Sequence, residues 1–121
     1  MTPEQEFKAR RIIEHQLEMS GATLEALRRA GLTDEREIQI EFVFNARSEA
    51  AAQALGAHLT NNDCIALKVE RSGGFLSQTF SVSGKTHPTA VTAQILSQWI
   101  PWIVIQGAIH DCEFDGWGAE V

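Results

Sequence analysis

His110-Asp111-Cys112 sets three metal-ligand and acid-base types side by side. Neighbouring residues of an extended segment point to opposite faces, however, and a structural zinc site needs four convergent ligands. His87 would have to join from a separate loop, and no fourth ligand stands at a diagnostic spacing, so the run reads as a capped turn leading into a strand. Ser83-Gly84-Lys85-Thr86 has the glycine, lysine and hydroxyl that close a phosphate-binding loop. The earlier glycine of that loop is missing, because Thr79 stands five residues before Gly84, and Pro88 disturbs the segment beyond Thr86. Cys64 and Cys112 lack the C-x-x-C spacing of redox catalysis. His15 lies beside Glu14 and Glu18, and His58 stands near the end of an Ala-rich segment, where it reads as a C-terminal helix cation or a solvated side chain. Neither has a nucleophile at a readable spacing. The sequence therefore assigns no catalytic, metal-ligating or cofactor-binding residue.

The remaining chemistry is that of a surface. Lys and Arg number 10 against 16 acids, a net charge of -6 that opposes attraction to a phosphate backbone and favours a basic protein segment. No apolar run approaches the ~20 residues of a membrane-spanning helix. The opening Met1-Thr2-Pro3-Glu4-Gln5-Glu6 is polar and acidic where a signal peptide is basic and then apolar, so the chain reads as cytoplasmic, with no membrane partner and no direct nucleic-acid partner.

The elements that must position these residues can be read from period and punctuation. Thr2 as cap, Pro3 in the first turn, and Glu4 and Glu6 at the positive end of the dipole open a long helix to Ala30. Its apolar stripe is Phe7, Ile13, Leu17, Leu24 and Leu27, Gly31 stops it, and Ser20-Gly21 is its weak point. Arg10-Arg11 and Arg28-Arg29 share a face, and i,i+4 pairing from Glu6 and Glu25 makes that face a solvated one. From Glu37 to Asn45 the period changes to two, with Ile38, Ile40, Phe42 and Phe44 facing inward. Ser48 caps a helix to about Leu59 that packs through Ala51, Leu55 and Leu59. Cys64 to Glu70 alternates again, and Ser72-Gly73-Gly74 closes a hairpin into a strand from Phe75 to Val82. In that strand Leu76, Phe80 and Val82 face the core, with Gln78 as the odd member. Pro88 opens a further helix through Val91, Ile95, Leu96 and Trp99, and at Pro101 either this helix kinks or a second short helix starts and runs to Gly107. Cys112 to Phe114 begins a last strand.

This order predicts a single α+β domain over residues 1–121: an N-terminal helix in 1–31 and a ferredoxin-like βαββαβ sandwich in 36–121, its antiparallel sheet ordered 4-1-3-2. Cys64 and Cys112 then begin opposite edge strands, ~14 Å apart and beyond the ~7 Å reach of a disulfide.

The ending Glu113-Phe114-Asp115-Gly116-Trp117-Gly118 resembles the C-terminal signature of the family called regulator of ribonuclease E activity B (RraB), small acidic bacterial proteins that bind the endoribonuclease RNase E and inhibit it. The likeness extends over most of the chain. It includes the long N-terminal helix, the Ile38-Gln39-Ile40-Glu41-Phe42-Val43-Phe44 strand, the Ala-rich helix, the charged hairpin and the helix led by His87. The resemblance implies a non-enzymatic regulator, without cofactor, that binds the basic scaffold region of RNase E and modulates RNA degradation. Asp115 and Trp117 are the candidate partner-binding residues, because tryptophan is a frequent hot spot and an edge strand has an open side. Gly116 and Gly118 are expected to supply a bulge or a positive φ, and Asp115 to bond turn amides. A second reading is a protein-interaction or dimerisation module of the same fold, unrelated to RNase E, with the apolar run Trp99 to Ile105 as an oligomer interface if exposed. A third, a small-molecule enzyme on the same fold, would call for a deep pocket lined by His87, His110 or Asp115.

Overall fold

The computed structural model describes every residue except Phe75. In chain order the elements are α1 (Pro3–Arg29), β1 (Glu37–Ile38), β2 (Glu41–Ala46), α2 (Glu49–Thr60), β3 (Ile65–Gly74), β4 (Ser77–Lys85), β5 (Thr89–Ala90), α3 (Ala93–Ile109) and β6 (Cys112–Gly118). Among the described residues the fold is mixed α+β, with antiparallel sheets and three helices.

A capping box starts α1. Thr2 Oγ1 accepts from the Gln5 N–H at 3.1 Å, and Gln5 Oε1 accepts from the Thr2 N–H at 2.8 Å, so orphan donors at the helix start are satisfied reciprocally. The helix runs unbroken through Ser20-Gly21. Its buried side differs from the expected stripe: Ala9, Gln16, Ser20, Leu24 and Leu27 face inward, whereas Phe7 is 61% exposed and Leu17 also faces out. Small and polar residues take the inner side because α1 lies close against α3 and β6, where Gln16 and Ser20 find strand groups to bond. Phe7 instead lies beneath the Arg11 guanidinium, 5.9 Å from its ring centroid. The expected Glu25–Arg29 pair forms at 3.3 Å, while Arg28 turns to Asp34 at 2.7 Å.

The main sheet is antiparallel in the order β3-β4-β2-β6, and β1 pairs only with β5 in a separate two-stranded sheet. Two sheets thus stand where one was expected, and the strand over Glu37–Asn45 is divided. The break falls at Gln39 and Ile40. There the Ile40 N–H donates to Thr86 Oγ1 at 3.0 Å, and the Ile40 carbonyl accepts from the Thr86 N–H at 2.9 Å. Ile38, Ile40, Phe42 and Phe44 are all buried, as the alternation requires.

The β3–β4 hairpin turns later than Ser72-Gly73-Gly74, because Gly74 still pairs with Ser77. The start expected at Phe75 lies outside the described residues. Leu76, expected to face the core, sits in the turn and is 95% exposed, since the hairpin tip extends beyond the helices. Gln78 needs no buried partner there: it is exposed and pairs with Gly73.

The last helix begins later than Pro88. Thr92 caps it by accepting from the Ile95 N–H at 3.2 Å, and Pro88 stays in the loop before β5. Pro101 does not divide it, nor does it end at Gly107. An interior proline costs about 3 kcal/mol, but Ile100, Ile103 and Val104 around it are fully buried, each contributing roughly 1.5–3 kcal/mol. Burial outweighs the lost bond. Trp99, from the same segment, is packed 6.2 Å from Phe42 and 6.1 Å from Phe114, ring to ring. Among the described residues no helix is long and apolar enough to cross a membrane.

Candidate functional site

The C-terminal residues Cys112–Gly118 form β6, an edge strand paired with β2 and strapped on its outer side by α1. Four contacts run along the strap. Gln5 Nε2 donates to Asp111 Oδ1 at 2.9 Å, Lys8 pairs with Glu113, Gln16 Nε2 donates to the Asp115 carbonyl at 3.2 Å, and Trp117 Nε1 donates to Ser20 Oγ at 2.9 Å. Asp111 stands in the turn before β6, and the other three contacts come from the strand itself.

Asp115 and Trp117 are both on this strand but do different things. Phe44 pairs with Phe114 and Val43 with Gly116, which leaves Asp115 as the extra residue of a bulge. Its side chain is exposed and takes no hydrogen bond from turn amides among the described residues. Trp117 pairs with Phe42 and turns its ring toward the core, half-buried. Gly116 and Gly118 have ordinary negative φ, so the bulge forms without a left-handed glycine.

Beside Asp115 lies an open groove of about 580 Å³, walled by Lys8, Arg11, His15, Met19 and Phe114. Locally it is more basic than the chain as a whole. A smaller cavity of about 330 Å³ sits at the start of α1, with Ala9, Ile12, Val104 and Ala108 as floor and Glu4 and Arg47 at the rim. His87 and His110 line neither of these, and Asp115 lines only the open groove.

The remaining candidates resolve by position. Gly84 lies buried against Phe42, where a Cβ would stand 2.8 Å from the ring, so this glycine allows close packing. Both cysteines are free and buried, Cys64 just before β3 and Cys112 at the start of β6, the two edge strands. Cys112 donates weakly to the His110 carbonyl at 3.4 Å, and burial, with Asp111 adding to it, pushes its thiol up to about 11. Cys64 is raised for the same reason, with Asp63 the lesser cause. Among the described residues no three His, Cys, Asp or Glu side chains converge to hold a metal ion.

The structure also makes a pairing the sequence did not signal. His58 of α2 and His110, the C-cap of α3, stand with ring centroids 4.8 Å apart, and His58 Nε2 is 2.6 Å from Gln106 Oε1. Burial first, and His58 second, hold His110 below the usual histidine range. Only the tertiary packing of α2 on α3 brings these residues together. The polar pair Gln16 and Ser20, four apart on the inner side of α1, was a readable signal of the strap. No protein-family model matches the chain, and no curated protein matches it.

Proposed function

We propose that the chain is a non-catalytic protein-binding regulator that docks a basic, extended segment of RNase E and so modulates RNA degradation. The observation that carries this reading is the ordered C-terminal strand: the residues that resemble the RraB signature lie together on an edge that bears the exposed carboxylate of Asp115. A net charge of -6 supports it by speeding encounter with a basic chain. Asp115 and the accessible edge of Trp117 are the proposed contacts. Asp115 also lines the groove that carries Lys8, Arg11 and His15. The ferredoxin-like reading of the fold rests on the main sheet taken alone. Counted by its own strands, β6-β2-β4-β3 reads 4-1-3-2, with α2 and α3 packed on it.

The test is capture of the scaffold region of RNase E by the purified chain, from 0.1 M to 1 M salt, over which the screening length falls from about 10 Å to 3 Å. Binding should weaken steeply across that range and weaken further in Asp115→Asn. Absent or salt-insensitive capture would remove the proposal.

A second reading, self-association, is favoured by α3. Its sequence carries no charged residue, and Trp102, Ile105 and Ile109 recur at helical spacing on its outer side, with Ile109 54% exposed. Trp99 is not available to such an interface, since it packs on Phe42 and Phe114. Sedimentation at high concentration separates the readings, because a strict monomer eliminates this one.

A further inference from the structure

We propose that His58 and His110 form a two-histidine site for a zinc-class divalent metal ion, with Gln106 fixing the orientation of the His58 ring. The site is independent of RNase E binding.

Geometry is the first argument. A metal–nitrogen distance of 2.0–2.1 Å places two ligating imidazole centroids ~4.5 to 5.2 Å apart, for angles at the metal from square to tetrahedral. The observed 4.8 Å lies inside that interval, and the rings are tilted by 46° and not stacked face to face.

Tautomer is the second. With Gln106 Oε1 accepting at 2.6 Å, the His58 ring carries its proton on Nε2, and Nδ1 keeps a lone pair for a ligand. Metal-bound histidines ordinarily donate their other ring N–H in this way to an oxygen acceptor. The His110 ring has no hydrogen-bond partner among the described residues and keeps a lone pair as well.

Charge is the third. His110 caps α3, where the helix dipole gives partial negative charge and favours a cation. No third His, Cys, Asp or Glu joins the pair among the described residues, so water completes the coordination. Imidazole ligands suit zinc, copper and nickel, and not magnesium or calcium.

The test titrates zinc sulfate into the full, reduced chain, read by calorimetry and by histidine ring resonances. Binding should saturate at one ion per chain, and the His58 and His110 resonances should shift together while those of His15 and His87 stay put. His58→Gln or His110→Gln should each weaken affinity by at least about tenfold, Gln106→Ala by about tenfold, and the double variant His15→Gln/His87→Gln should leave it unchanged. Absence of saturable binding, undiminished binding in either single variant, or resonance shifts confined to other histidines would overturn the site and leave plain ring packing. The wild-type resonances decide the matter even where a variant fails to fold.

Discussion

Trp117 on β6 donates its indole N–H to the hydroxyl of Ser20 on α1 at 2.9 Å, and Ser20 donates onward to the Gln16 carbonyl at 2.6 Å. Gln16 closes the arrangement by donating its side-chain amide to the Asp115 carbonyl at 3.2 Å. Two polar residues one turn apart on the helix therefore hold two alternate residues of the strand. The C-terminal signature is thus part of the structure before it is part of any interface, and variants that touch it must be read for stability first.

Trp117→Phe keeps a ring of similar shape and deletes the donor, which should cost about 0.5–1.5 kcal/mol from the lost bond together with some packing. Ser20→Ala should cost a similar amount, because it deprives a half-buried indole N–H of its acceptor. The two effects should not add. A double-mutant cycle by urea denaturation should return a coupling of about 0.5–1.5 kcal/mol, and a coupling near zero would mean that the strap contributes no stability.

Both cysteines should resist alkylation while the chain is folded. With its thiol held at about 11, Cys112 offers roughly one thiolate in a thousand at pH 8, and its Sγ is buried besides. Cys64, also raised by burial, should lag in the same way. Mass spectrometry of iodoacetamide adducts should show slow labelling of both in buffer and fast labelling in urea. Equal rates in the two conditions would contradict the burial.

What the sequence discloses and what it withholds divide along physical lines. Thr2-Pro3 and Ser48 mark helix starts through local hydrogen bonds, and Ile38 to Phe44 marks an inward face through period two, so these are readable without tertiary structure. Phe7 reads as core by spacing yet lies outside, because α1 carries more apolar residues than one face can bury, and which face wins is decided by α3 and β6. Pro101 reads as a break because its local penalty is real, but that penalty is smaller than the burial of Ile100, Ile103 and Val104. The split of the strand at Gln39 depends on Thr86, far along the chain. Asp115 and Trp117 are candidates by residue type alone, whereas the pairing of His58 with His110 has no sequence period and exists only through the packing of α2 on α3.

The His58–His110 contact also makes a pH prediction in the absence of metal. Burial and then His58 lower the folded-state pKa of His110, so in a window beginning near the unfolded value of about 6.5 and extending below it, the unfolded chain binds more protons than the folded one. Stability therefore falls as pH drops through that window, and the pair contributes no pH dependence well above it. Urea midpoints at pH 7.5, 6.5 and 5.5 should decline in this order. His110→Gln should flatten the decline and His58→Gln should lessen it. An unchanged slope in His110→Gln would assign the effect elsewhere.

Two glycine-to-alanine changes on helices should have opposite signs. At Gly21 an added Cβ meets nothing within 4 Å, so alanine should stabilise the chain by about 0.5–1 kcal/mol through helix propensity and a less free unfolded state. At Gly107 the same propensity gain of about 1 kcal/mol is available. There the Cβ would stand 2.4 Å from Phe44 Cε1 and 3.1 Å from the Cys112 carbonyl oxygen. Phe44 cannot yield cheaply: it is fully buried, 5.3 Å from Phe114 and 5.9 Å from Phe42, ring to ring, and moving it disturbs both partners. Overpacking of this kind costs about 1–3 kcal/mol, so the net effect of Gly107→Ala should be destabilising. Urea midpoints of the two variants measured side by side should therefore move in opposite directions from wild type, and a rise for Gly107→Ala would mean that α3 can lift from the sheet at little cost.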